Sequence, residues 1–392
     1  MKRRVRSRSH VVRGTQARPG FAMFMALGAL VIIAVLIAAS SFVTLQESRL
    51  GQNSVVNSRA FTAAEYGLNK IQQDWDKTPN LAMANGASFD TNYTIAGQGT
   101  CKVRYTRLNA ATFWIVSEGR ASAGDATAAS RTAVKRVGGI LRLRIPSIKA
   151  NGAVTVNGNI NVQGSPQVNG ANLIPSGWSG CNTSAPGMAG IVAPPSASVS
   201  IQKASQVTGT PQVLRDALVA DSNTYVTYGD ENWNSLVSMA NVTITNGNPP
   251  GIAPTLNADG TCDKASTSNW GEPWRTAGYV AACINYFPII YSTQNIAFNG
   301  GRGQGILLVD GDVRINGNFE WFGLIIARDD ITKGNGNATI TGAIMARNAQ
   351  ISDNSDVQGN ITINYSQCSL EKALQGSAQV SQAKQRAWTE IY

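Results

Sequence analysis

Six acids late in the chain, Asp310, Asp312, Asp329, Asp330, Asp353 and Asp356, recur at matching positions of a repeat. Carboxylates stacked in this way can bind calcium or serve as the acid and base of a glycoside hydrolase. Arg314, Arg328 and Arg347 stand between them, which favours charge ladders on a surface. Acids at turns commonly do no more than accept backbone N–H groups. The single histidine is His10, close to the N-terminus. That removes Ser-His-Asp and Cys-His relays and histidine zinc clusters. No Cys-x-x-Cys pair, phosphate loop or dinucleotide fingerprint is present. We therefore expect no enzyme activity, no cofactor and no metal.

Three of the five cysteines, Cys181, Cys262 and Cys283, fall between residues 171 and 285. Proximity makes Cys262 and Cys283 the first candidates for a disulfide, and an odd total leaves one thiol over. Trp270, Trp274, Tyr279, Tyr286 and Phe287 lie in the same region. Such a group can hold a sugar or another subunit, but more often it anchors a loop to its scaffold.

The element that must position all of this lies at the other end. Phe21 to Val43 is a run of 23 residues without a charge. As a helix it would span about 35 Å, enough to cross a bilayer with some tilt. No proline interrupts the polar stretch beyond it, and Phe61, Ala64, Leu68, Ile71 and Trp75 make one apolar stripe at steps of three and four. One long helix is expected, apolar in the membrane and amphipathic beyond it. The first 20 residues carry seven Lys and Arg and no acid, which holds that end in the cytoplasm. They also account for much of the formal charge of +10, since the rest holds 26 bases against 23 acids. With no later basic cluster interleaved with aromatics, nucleic acid is not an expected partner.

A basic leader ending at Gly20, then Phe21 and an unbroken apolar helix, resembles a type IV prepilin. Arg59, Ala63, Ala64, Glu65, Gly67 and Leu68 resemble the helix motif of PilX-type minor pilins and GspK-type pseudopilins. The resemblance implies cleavage after Gly20 by a prepilin peptidase and methylation of Phe21. It implies other major and minor pilins as partners. It implies residence in the bacterial inner membrane before assembly, then on the pilus or cell surface. The fifth mature position, commonly Glu in major pilins, is Met25 here. That departure suits a minor subunit at or near a filament tip. A membrane-anchored adhesin that binds a surface glycan is the alternative.

The remaining chain divides by texture. After the leader (1–20) and the helix (21–77, its span at 21–43), residues 78–146 alternate apolar and polar between turn signals, as an antiparallel sheet does. A loop is expected over 78–92. From 147 to 368 short apolar units end in Asn-Gly, and Gly305, Gly323 and Gly342 open similar segments at intervals of 18 and 19 residues. Fixed-period short strands predict a parallel β-helix, a solenoid. Residues 171–285 are expected as an insertion in it, with a short helix at 211–220. Residues 369–392, rich in Ala, Gln, Lys and Glu, are expected as a helix capping its open end. The fold class is thus a pilin-like α+β part followed by an all-β solenoid with a C-terminal capping helix.

Overall fold

The computed structural model describes residues 19–75, 80, 83–97, 99–109, 111–123, 131–148, 150–228, 231–249, 251–334, 336–352, 360–382 and 388–391. Residues 1–18 of the basic leader, with His10 among them, and Asp353 and Asp356 lie outside the described residues. Helix α1 (Pro19–Gln73) runs unbroken for 55 residues. Every residue from Met23 to Val55 is exposed, and burial begins at Val56.

The second part of α1 lies across an antiparallel meander. Its strands are β1 (Ser88–Ile95), β2 (Gly99–Asn109), β3 (Thr112–Ala123) and β4 (Arg131–Arg144), paired in chain order. The first strand begins at Ser88, inside the stretch expected as a loop, because Phe89 to Ile95 pairs along the free edge of β2. Alternate residues Val103, Tyr105, Phe113, Ile115, Val137 and Leu141 turn inward and pack on Ala64, Leu68 and Ile71. Past the helix end, Trp75 meets Phe113 edge to face at 4.8 Å.

Two further strands, Gln379–Gln382 and Trp388–Ile391, pair antiparallel with β4. The expected helix over 369–392 is therefore corrected. A helix occupies only Gln367–Gly376, and the chain then becomes extended to satisfy the open edge of β4. That helix does not close an open end either. It packs on the flank of strands Ile296–Val309, Val313–Ala327 and Ala338–Ala346.

The other large sheet has fifteen strands, and every registered pair in it is parallel. The sheets of the molecule are thus of both kinds. The parallel strands align in three rows. In the first, Val242, Ile290, Leu307, Ile325, Ile344, Val154, Ile191 and Val213 stand in register, each on the next. Stacked aliphatic side chains make this the centre of the larger core.

That ladder corrects the expected insertion over 171–285. Strands Ala189–Ala193, Val199–Ile201, Val207–Thr208, Val213–Arg215 and Val242–Ile244 all belong to the rows. The expected helix at 211–220 is a strand at Val213–Arg215 followed by a 3-10 turn at Ala217–Ala220. The order in space also departs from the order in sequence. Strand Gly152–Val156 sits in mid-row, paired on one side with Ala189–Ala193 and on the other with Ile344–Ala346. The chain enters in the middle, builds to one end, crosses to the other and builds back to its own first strand.

The glycine repeat has a steric origin. A Cβ at Gly323 would lie 2.1 Å from the carbonyl oxygen of Gly305, and one at Gly342 would lie 1.9 Å from that of Gly323. Their φ angles of 137° and 152° belong to glycine as well. These residues mark the bend where one strand runs on into the first row.

Candidate functional site

Helix α1 meets the sheet through small residues. Ala60, Ala63 and Ala64 are fully buried, and Gly67 and Leu68 are buried beside them. A Cβ at Gly67 would lie 2.3 Å from the Ser117 hydroxyl and 2.8 Å from the Cys101 sulfur. From the other side, a Cβ on Gly119 of β3 would lie 2.1 Å from the Ala60 carbonyl oxygen. Backbone thus approaches backbone where a larger residue would hold helix and sheet apart. Arg59 is exposed and Glu65 half-buried at the margin of this contact. The stripe expected through Phe61, Ala64, Leu68, Ile71 and Trp75 is rotated toward the small residues, leaving Phe61 and Trp75 half-buried.

Gly20 and Phe21 fall in the first turn of α1. Beyond them, Phe24, Met25, Leu30, Ile33, Leu36 and Phe42 are each more than half exposed. By length and composition this is a helix able to cross a membrane, and it lies near the N-terminus. Cys101 keeps its thiol at the helix–sheet contact, where burial pushes its pKa up.

The repeated acids line one corner of the parallel sheet, where they form a ladder with asparagines. The Asn295 side chain accepts the Asp312 N–H at 2.9 Å, and that of Asp312 accepts the Asp330 N–H at 3.0 Å. Asn348 donates to Asp330 at 2.7 Å and accepts the Asn159 N–H at 2.9 Å, and Asn159 accepts the Ser198 N–H at 2.9 Å. Asp310 pairs with Arg328 at 3.0 Å, and Asp329 with Arg347 at 3.7 Å. Each of the four described acids is thus occupied with a neighbouring strand or an arginine. No group of three or more His, Cys, Asp or Glu suited to a metal occurs among the described residues.

The segment between the rows, residues 245–288, is held by a second set of contacts. Within it Cys262 and Cys283 are joined; a second disulfide, outside it, joins Cys181 to Cys368 of the C-terminal helix. Glu272 is fully buried and takes both ends of the Arg302 guanidinium, at 2.9 and 2.7 Å. Arg302 also lies 3.9 Å over the ring of Trp274. Arg275 donates to the carbonyls of Glu272 and Ile284, and burial lowers its pKa to about 10. Of the aromatic group, Trp270 is fully buried, Tyr286 and Phe287 are buried, Trp274 is half-buried and Tyr279 is exposed. The group anchors this segment to its scaffold. Sequence reading missed Glu272, Arg302 and Cys368; a lone Glu between two tryptophans was the one signal available for the first.

No protein-family model matches the chain, and no curated protein matches it. Among solved structures it aligns with the competence-associated pilin ComZ from Thermus thermophilus. The alignment covers 86% of this chain and 97% of that one, at 13% identity and a TM-score of 0.21. A superposition that loose carries no conclusion about this chain.

Proposed function

We propose that this chain is a structural subunit of a type IV pilus or a related filament, and not an enzyme. Before assembly it is held in the bacterial inner membrane by α1. The observation that carries this reading is the division of that helix. Its first part is exposed and apolar, free to enter lipid or a bundle of like helices, while its second part is fixed rigidly to a sheet. A detachable signal sequence needs no such continuation. The basic leader and the Gly20–Phe21 junction fit removal of the leader by a prepilin peptidase and methylation of Phe21. The motif from Arg59 to Leu68 fits a PilX-type or GspK-type minor subunit.

Position near a tip follows from Met25. A shaft subunit would bury its N-terminal amine beside a neighbour, and an unpaired buried charge costs several kcal/mol. Met25 supplies no carboxylate, and the next acid along α1 is Glu47. The parallel sheet, read as a β-solenoid of stacked three-strand coils, adds bulk that suits an end better than a packed shaft. The partners are then other major and minor pilins that do carry the acid.

N-terminal sequencing of the protein from membranes and from sheared filaments tests the reading. The expected product starts at methylated Phe21 and is present in both fractions at few copies. An intact Met1 in both, or a start near Ser41, would overturn it.

A further inference from the structure

Residues 216–228 cross beside the corner ladder and leave a cleft of about 580 Å³. Ser222, Tyr225 and Val226 form one wall, and Arg328 and Arg347 stand on the other. A second cleft of about 490 Å³ adjoins it, reaching Gln163, Ser198 and Ser200. Asn159 and Asn348 of the ladder line both, so the two make one groove across the stacked strands. Each half has the size of a small-molecule site.

We propose that this groove binds a neutral polysaccharide chain, a role that does not depend on incorporation into a filament. Three features of the groove select that ligand. Arg328 is paired with Asp310 and Arg347 with Asp329, and the second cleft adds the Asp330 carboxylate, so the groove offers no positive field to an anion. Among the described residues, the side chains of Asn157, Gln163, Ser198, Ser200 and Ser222 make no hydrogen bond within the protein. Amides and hydroxyls both donate and accept, as the vicinal hydroxyls of a sugar require. The floor is also fixed in advance. The ladder bonds of Asn159 and Asn348 link the starts of four neighbouring strands, so little ordering is needed on binding. Val226, half-buried, adds an apolar surface for the C–H face of a ring.

Full-length protein in a detergent without a sugar headgroup should be titrated with maltopentaose, cellopentaose, chitopentaose and, as the acidic comparator, pentagalacturonate. At least one neutral oligosaccharide should bind saturably. Ser222→Trp in the first cleft or Ser200→Trp in the second should weaken it about tenfold by filling exposed space the sugar needs. Both positions are exposed, and Gln163→Ala serves where a tryptophan alters the thermal melt. Absence of saturable binding by all three neutral sugars would overturn the proposal. So would binding of pentagalacturonate alone, or neutral binding that none of the variants weakens.

Discussion

Replacing Gly119 by alanine should loosen helix α1 from its sheet. The added Cβ would lie 2.1 Å from the Ala60 carbonyl oxygen and 2.4 Å from the Ala64 nitrogen. Both are backbone atoms in mid-helix and neither can rotate aside. The helix must retreat by about 1 Å, since comfortable contacts begin near 3.4 Å. Overpacking typically costs about 1–3 kcal/mol, and a rigid obstacle puts this site near the upper figure. For a body of this size that lowers Tm by about 10 °C. It should also reduce amide-exchange protection over 56–71 by about a hundredfold. Gly67→Ala should do less harm, because its Cβ meets movable side chains and alanine favours the helix by about 1 kcal/mol. Gly51→Ala, with nothing within 4 Å, should stabilise by that same small amount. Calorimetry and hydrogen exchange on the full chain in detergent give both readings. Unchanged protection in Gly119→Ala, or an equal loss in Gly51→Ala, would refute the close docking of helix on sheet.

Other perturbations act on single contacts. Cys181 and Cys368 close a loop with a sequence separation of 187, against 21 for Cys262 and Cys283. Loop entropy then predicts losses of about 5 and about 3 kcal/mol for the paired serine variants. Guanidinium midpoints in the reverse order would contradict that ranking. Gly323→Ala should cost more than any exposed substitution, about 3 kcal/mol or more, because clash and positive φ act together; a melt within about 2 °C of the parent would argue against the stacked bend. The Glu118 carboxyl is held below its ordinary pKa by Arg120 and then Arg136. That contribution is present above the unfolded value of about 4.3 and is lost as pH falls through the lower folded value. Melts from about pH 6 to pH 3 should therefore fall less steeply in Glu118→Gln than in the parent.

The sequence made the local elements legible and left their closure hidden. Helix α1 and the alternating strands declare themselves by period, because each needs only neighbours in the chain. The 18- and 19-residue glycine interval likewise reports one strand stacked on the next. It cannot report that Gly152–Val156 docks between strands centred near 191 and 344, since every aliphatic rung would fit every other. Cys181 and Cys368 meet only once that order is known. The C-terminal strands illustrate the same limit. Ala, Gln, Lys and Glu read as helix formers, but Gln379–Gln382 takes its conformation from an unpaired edge far away in sequence. At the docking stripe, Ala60, Ala63, Ala64 and Gly67 are visible as small residues, whereas the matching Gly119 has no signature of its own. The run of small residues on α1 has a packing cause that only the opposing strand reveals.

The topology bears on what the molecule can transmit. In β4 the last paired residue, Arg144, stands directly opposite Gln379, the first residue of the returning strand. The parallel-sheet body therefore leaves and re-enters the antiparallel sheet at one point, as an insertion into what would otherwise be a hairpin. Insertions of this kind keep both ends of the guest together and leave the host sheet intact. Further ties narrow the freedom of the joint. Arg144 pairs with the buried Glu231 at 2.6 Å, and Ser147 donates to the Tyr228 carbonyl at 3.3 Å. Force applied to the inserted body reaches β4 through two adjacent strands, and from β4 it passes to α1 through the close contact at Gly119 and its neighbours. In the filament role proposed above, that path would join the exposed apolar part of α1 to the parallel-sheet body.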